Sequence, residues 1–146
     1  MKALIQRVTQ AHVLVDQKEI ARIQAGMLVL VCAEPTDQRA TADLLIEKLC
    51  KLRIFADAEG KMNLNIKQAQ GELLLVSQFT LAADTRRGTR PGFSRAAPPE
   101  LAKPLFEYLI EQARGHITKV EHGIFAADMQ VHLVNDGPVT IPLDIN

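Results

Sequence analysis

Met27-Leu28-Val29-Leu30-Val31-Cys32 is apolar at six successive positions and shows none of the in–out alternation of a half-solvated strand. Such a run predicts a central strand covered on both faces. Upstream, residues 3–9, 11–16 and 18–23 read as three short strands in a meander, with Asp16-Gln17-Lys18 as a tight connection and Gly26 as the next turn. Downstream, Thr36-Asp37 can cap a helix whose apolar positions Ala42, Leu45, Ile46 and Leu49 follow helical spacing. Lys48, Lys51 and Arg53 lie near its C-terminal end, where positive charge is tolerated. That helix is expected to cover one face of the sheet.

Residues 52–55 and 72–76 read as further strands, with Asp57-Ala58-Glu59-Gly60 as a turn between them and residues 82–99 as loop. A second helix is predicted between Pro98 and Arg114, with Leu101, Leu105, Tyr108, Leu109 and Gln112 along one stripe and Gly115 as its cap. Pro104 leaves two readings open, a later start or a kink, because an interior proline loses a hydrogen bond and crowds the preceding turn. Residues 129–134 and 139–145 alternate and are expected to be two closing strands around a Gly137-Pro138 turn. The expectation is one mixed α/β domain over residues 1–146, a strongly curved, barrel-like β-sheet with two main helices.

At 146 residues, 47% hydrophobic and 23% charged, the chain can bury one real core and is not an extended disordered segment. Its formal net charge is zero, so any binding to nucleic acid has to come from a local basic patch. Cys32 and Cys50, both among apolar neighbours, read as buried free thiols, which predicts a reducing, cytoplasmic setting. Polar residues follow Met1 too soon for a signal peptide, and no apolar stretch approaches membrane-spanning length, so no membrane partner is expected.

Ser77-Gln78-Phe79-Thr80 ends the apolar run Leu73-Leu74-Leu75-Val76 and puts hydroxyls and backbone N–H groups at a strand terminus, a common place for chemistry. Ser77 and Thr80 are candidate nucleophiles, yet no His, Asp or Glu adjoins them as a base; the plainer reading is that they end a strand and cap a turn. His12, His116, His122 and His132 have no metal-ligand spacing, so neither metal nor cofactor is expected. Asp43, Glu47, Asp57 and Glu59 fall on a solvated helix face or in a turn, which sets a paired-carboxylate hydrolase aside. Residues 84–95 gather Arg86, Arg87, Arg90 and Arg95 in a loop punctuated by Gly and Pro that can hold phosphates, although a merely solvated loop is the commoner fate of such a charge run. Asn135-Asp136-Gly137-Pro138-Val139-Thr140 contains an X-Pro bond, the only kind that takes the cis form at modest cost.

Together these residues resemble the D-aminoacyl-tRNA deacylases, a family with a Ser-Gln-Phe-Thr motif and an Asn-X-Gly-Pro-Val-Thr motif. The resemblance spans nearly the whole chain and includes Ala3-Leu4-Ile5-Gln6-Arg7-Val8, Gly60-Lys61-Met62-Asn63, Arg90-Pro91 and Phe125-Ala126-Ala127-Asp128-Met129. Gly92 departs from it, since the family commonly carries serine there. The resemblance implies hydrolysis of the ester that joins a D-amino acid to the terminal ribose of tRNA, with glycine passing the same filter. It implies a homodimer in which a Gly137-cis-Pro138 tip reaches into the other subunit's pocket and leaves no room for an L side chain. Backbone N–H groups near Gln78 and Phe79 would hold the oxyanion, Thr80 would shape the pocket beside Ser77, and the substrate's own 2′-hydroxyl would assist. Phe125 and Met129 would line the pocket, Arg7 would brace the tip, and Arg86, Arg87 and Arg90 would meet tRNA. Two other readings stay open, a related deacylase of relaxed chirality and a non-catalytic nucleic-acid-binding protein.

Overall fold

The computed structural model describes residues 1–146. Its strands are β1 (Lys2–Val15), β2 (Lys18–Ile23), β3 (Gly26–Cys32), β4 (Phe55–Ala56), β5 (Met62–Leu64), β6 (Glu72–Ser77), β7 (Val120–His122) and β8 (Met129–Asp144). Two helices, α1 (Arg39–Lys51) and α2 (Pro99–Arg114), interrupt them. The apolar run is β3, and it lies between β1, to which it is antiparallel, and β6, to which it is parallel. Both of its faces are covered. On one side Ile5, Val29, Leu73 and Leu75 pack with Leu45 and Leu49 of α1 and Leu109 and Ala113 of α2. On the other, Leu28, Leu74 and Val76 meet Val8, Ala11, Val13 and Ile23 within the curve of the sheet. A strand buried on two faces has no use for alternation, which is why its sequence shows none.

Curvature comes from β1. Residues expected as two strands form one strand of 14 residues, which pairs with β3 through Lys2–Val8 and with β2 through Ala11–Val15. Its other edge pairs with β8 along nearly its whole length, with irregular register around Val8. The strand end expected between Thr9 and Ala11 does not exist; register irregularities on either side of Val8 bend one continuous strand instead. The six-stranded sheet therefore wraps into the barrel-like shape expected, in the order β2-β1-β3-β6-β7 with β8 beside β1.

Asp16 and Gln17 take positive φ (49° and 64°), the geometry of a two-residue hairpin loop between β1 and β2. Gly26 is the first residue of β3 rather than a turn. The strand expected at 52–55 is confined to Phe55–Ala56, which pairs with β5; short β7, parallel to β6, has no counterpart among the expected strands.

The helices differ in detail from expectation. Gln38, not Thr36 or Asp37, is the N-cap of α1, with Thr41 completing a capping box through Gln38 N–H donating to Thr41 Oγ1 at 3.1 Å. Asp37 is buried and instead accepts from the Met1 ammonium at 2.8 Å and from the Glu34 N–H at 2.7 Å, because a buried carboxylate is stable only when paired. Helix α2 begins with Pro99 and continues through Pro104, which lies on its exposed side. Its buried stripe is Leu105, Phe106, Leu109, Ile110 and Ala113; Leu101, Tyr108 and Gln112 stand at the margin, where the Tyr108 hydroxyl donates to Asp43 at 2.9 Å. No helix is long and apolar enough to cross a membrane.

Candidate active site

The parallel pair β3–β6 ends with Val31 opposite Ser77, and Gln78 N–H closes the pair by donating to Val31 O at 2.7 Å. The chain then coils into a 3₁₀ turn, Phe79–Ala82. Amides in the first turn of a helix have no acceptor within it. Gln78 N–H is spent on the sheet, so the donors at this strand end are the N–H groups of Phe79 and Thr80. Cys32 contributes from below: its thiol donates to Phe79 O at 3.5 Å and Ala33 O at 3.4 Å, and burial, helped by the charge of Glu34, raises its pKa.

Above this strand end lies a cavity of about 670 Å³. Ser77, Gln78 and Phe79 form one wall, Phe125 and Met129 a second, and Ala102, Leu105 and Phe106 of α2 a third. The lining is chiefly apolar, so a polar ligand that enters exchanges water for a few fixed donors, which strengthens each of them. Four expected site residues outside the arginine loop do not line it: Thr80, Arg7, Gly137 and Pro138. Thr80 is exposed and its hydroxyl accepts from Gln78 Nε2 at 2.5 Å. No carboxylate or imidazole hydrogen-bonds to Ser77 or Thr80, so neither hydroxyl has a protein base.

Gly137 and Pro138 form no turn between strands. Strand β8 is continuous, and its ladder with β1 passes from Thr140, opposite Gln6, to Asn135, opposite Val8; the residues between bulge outward. The Gly137-Pro138 peptide is cis and both residues are exposed. Arg7, the β1 residue facing this gap, donates from Nε to Asp136 O at 3.0 Å and from Nη1 to Ile54 O at 2.6 Å, and pairs with the Asp136 carboxylate at 3.5 Å. Arg7 thus ties the bulge to the segment after α1.

The arginine loop is closed by reciprocal hydrogen bonds between Asp84 and Gly92, at 2.7 and 2.9 Å. Phe93 anchors it beside the cavity by meeting Phe79 edge-on, with ring centroids 5.0 Å apart. Arg86, Arg87 and Arg90, with Asp84, Gly92 and Ser94, surround a second, polar concavity of about 490 Å³. Arg86 is folded onto Asp84, while Arg87 and Arg90 form no ion pair and are free to meet an anion. Hydrogen bonds from the Arg86 side chain and backbone hold the Asp84 carboxyl at a pKa of about 2, against an ordinary 3.8. The sign follows: this pairing is complete above the unfolded value of 3.8 and is lost as pH falls through about 2. An NMR titration of Asp84 is expected to have its midpoint near 2, and a midpoint near 3.8 would show that Arg86 does not hold it.

Sequence reasoning missed the α2 wall of the cavity, Phe93 and Cys32. Only Cys32 carried a signal, as a polar-capable atom at the end of the central strand. No group of three His, Cys, Asp or Glu side chains is arranged to hold a metal.

Comparisons with known proteins bear on the family and the fold. A protein named D-aminoacyl-tRNA deacylase from Pseudomonas putida (strain W619) is 58% identical over 145 residues, covering 99% of this chain and all of its own. One of the same name from Cellvibrio japonicus (strain Ueda107) is 55% identical over the full length of both chains. A solved structure described as c-Myc DNA Unwinding Element Binding Protein superposes with a TM-score of 0.95 at 38% identity, covering 100% of this chain and 99% of that one. A probable eukaryotic D-amino acid tRNA deacylase, at 16% identity and a TM-score of 0.86, covers 99% of this chain and 98% of its own and shares the fold. The family model described as D-Tyr-tRNA(Tyr) deacylase matches residues 4–144, and the chain belongs to that family.

Proposed function

We propose that the protein hydrolyses the ester of D-aminoacyl-tRNA, and of glycyl-tRNA, and spares L-aminoacyl-tRNA. The observation that carries the reading is the pairing of a chiefly apolar cavity, walled by Ser77, Gln78 and Phe79, with an exposed Gly137-Pro138 bulge that is not part of that cavity's lining. Arg7 fixes the bulge through Asp136 and leaves Gly137 and Pro138 exposed, where a second copy can meet them. In the proposed homodimer the tip of one copy enters the site of the other, meets the substrate's amino group and excludes an L side chain by contact. Glycine has no side chain to exclude, so it passes.

Water adds to the ester carbonyl, and the N–H of Phe79, on the cavity wall, holds the oxyanion that forms. The carbon–oxygen bond to the ribose then breaks, releasing the amino acid and leaving the 3′-oxygen protonated. Because Ser77 and Thr80 lack a protein base, the neighbouring 2′-hydroxyl of the terminal ribose assists the water. Arg86, Arg87 and Arg90 face the phosphates of the tRNA end, and the reaction takes place in the cytoplasm.

Removing the 2′-hydroxyl of the terminal ribose is expected to slow release of D-tyrosine by about 10²-fold or more, the usual worth of a positioned acid or base. Thr80→Val keeps the side-chain shape and is expected to cost under about tenfold, because it removes only one hydrogen bond. Single-turnover rates decide between them, and the reverse order would make Thr80 the nucleophile. A protein that only binds nucleic acid would release no amino acid from either ester while binding RNA in a salt-sensitive way.

A further inference from the structure

Strand β8 leaves its ladder with β1 at Asn135 and rejoins it at Thr140, and those two residues are joined by their side chains. Asn135 Nδ2 donates to Thr140 Oγ1 at 2.8 Å across the neck of the bulge. Its other amide atom, Oδ1, accepts from the backbone N–H of Val139 at 2.8 Å. A carboxamide is suited to both jobs, since it is donor and acceptor at once. Val139 lies between the two ladder residues, so its N–H has no partner on β1; Asn135 supplies one in place of the missing strand.

We infer that Asn135 and Thr140 are positioning residues: their clip fixes the neck of the bulge and thereby the place of Gly137-Pro138. This rests on the reading of the tip as the chirality filter. Arg7 holds the outward limb through Asp136, and the clip holds the returning limb through Val139, so the tip is located from both sides. Asn135 touches no part of the cavity, and its effect reaches the substrate only through the tip. Loss of the clip changes which esters are accepted more than how fast the preferred one is cleaved.

The test compares wild type with Asn135→Ala, Asn135→Asp and Thr140→Val. The readouts are kcat/KM on D-tyrosyl- and L-tyrosyl-tRNA, and hydrogen exchange at the Val139 amide. Asn135→Ala is expected to lower the D/L ratio about tenfold or more, because small misplacements in a site cost rates of this order. Exchange at Val139 should speed up by about tenfold, the loss of one local protecting bond. Asn135→Asp keeps the acceptor for Val139 and can accept from the Thr140 hydroxyl, so it should recover both readouts, whereas Thr140→Val should give a smaller loss. An unchanged D/L ratio in Asn135→Ala, with wild type discriminating, overturns the inference alone. Wild type that cleaves both hands alike overturns the filter reading, and the inference with it.

Discussion

Gly26→Ala is expected to destabilise the fold by more than about 3 kcal/mol, at the upper end of what overpacking a core costs. Gly26 opens β3 opposite Glu72 of β6, and a Cβ there would stand 1.8 Å from the Glu72 carbonyl oxygen and 2.6 Å from its nitrogen. Backbone cannot yield as a flexible side chain can. The two strands would have to part at the point where Glu72 N–H donates to Ala25 O at 3.0 Å and the Glu72 carboxylate accepts from Gln24 N–H at 2.6 Å. Since β3–β6 is also the pair whose far end carries Ser77, activity falls with stability. Chemical denaturation measures the effect, and a change below about 1 kcal/mol would mean that β3 and β6 adjust to the methyl group at the low end of overpacking costs.

Gly137→Ala has the opposite character, with a large effect on selectivity and a small one on the fold. Gly137 has φ of +133°, a conformation that L side chains rarely adopt, and an added Cβ would lie 2.8 Å from Val139 Cγ2 and 3.1 Å from Arg7 Nη2. The φ strains any L residue and the Val139 side chain crowds the new methyl group, so the tip has to shift. Because residues 136–138 are exposed and bulge from the ladder, the shift is absorbed locally and the core is untouched. In the proposed dimer the filter then no longer fits the substrate's amino group, and the D/L ratio of kcat/KM is expected to fall about 10²-fold. An unchanged ratio in a folded Gly137→Ala protein would remove the tip from the selectivity mechanism.

Much of the fold was legible because burial leaves a plain mark. The unalternating β3 and the helical spacing of Ala42, Leu45, Ile46 and Leu49 declare their surroundings directly, and the structure buries them as expected. Less legible were features decided between distant segments. Asp37 looks like a helix cap, and what diverts it is the Met1 ammonium, brought close only when the sheet closes. Gly26 and the Gly137-Pro138 pair both look like turns; the close approach of Glu72 and the continuity of β8 along β1 give them other work. For the site, Ser77, Gln78, Phe79, Phe125 and Met129 meet around one cavity, whereas Thr80, Arg7, Gly137 and Pro138 do not line it within one chain. In the proposed homodimer the tip would meet the cavity of the other copy.

As proposed, this chain removes D-amino acids from tRNA and rejects L-amino acids. Purified protein incubated in parallel with D-tyrosyl-tRNA and L-tyrosyl-tRNA, with free tyrosine measured over time, tests this most directly. The D ester is expected to be cleaved while the L ester decays only at its spontaneous rate; equal cleavage of both esters, or of neither, would overturn the proposed activity.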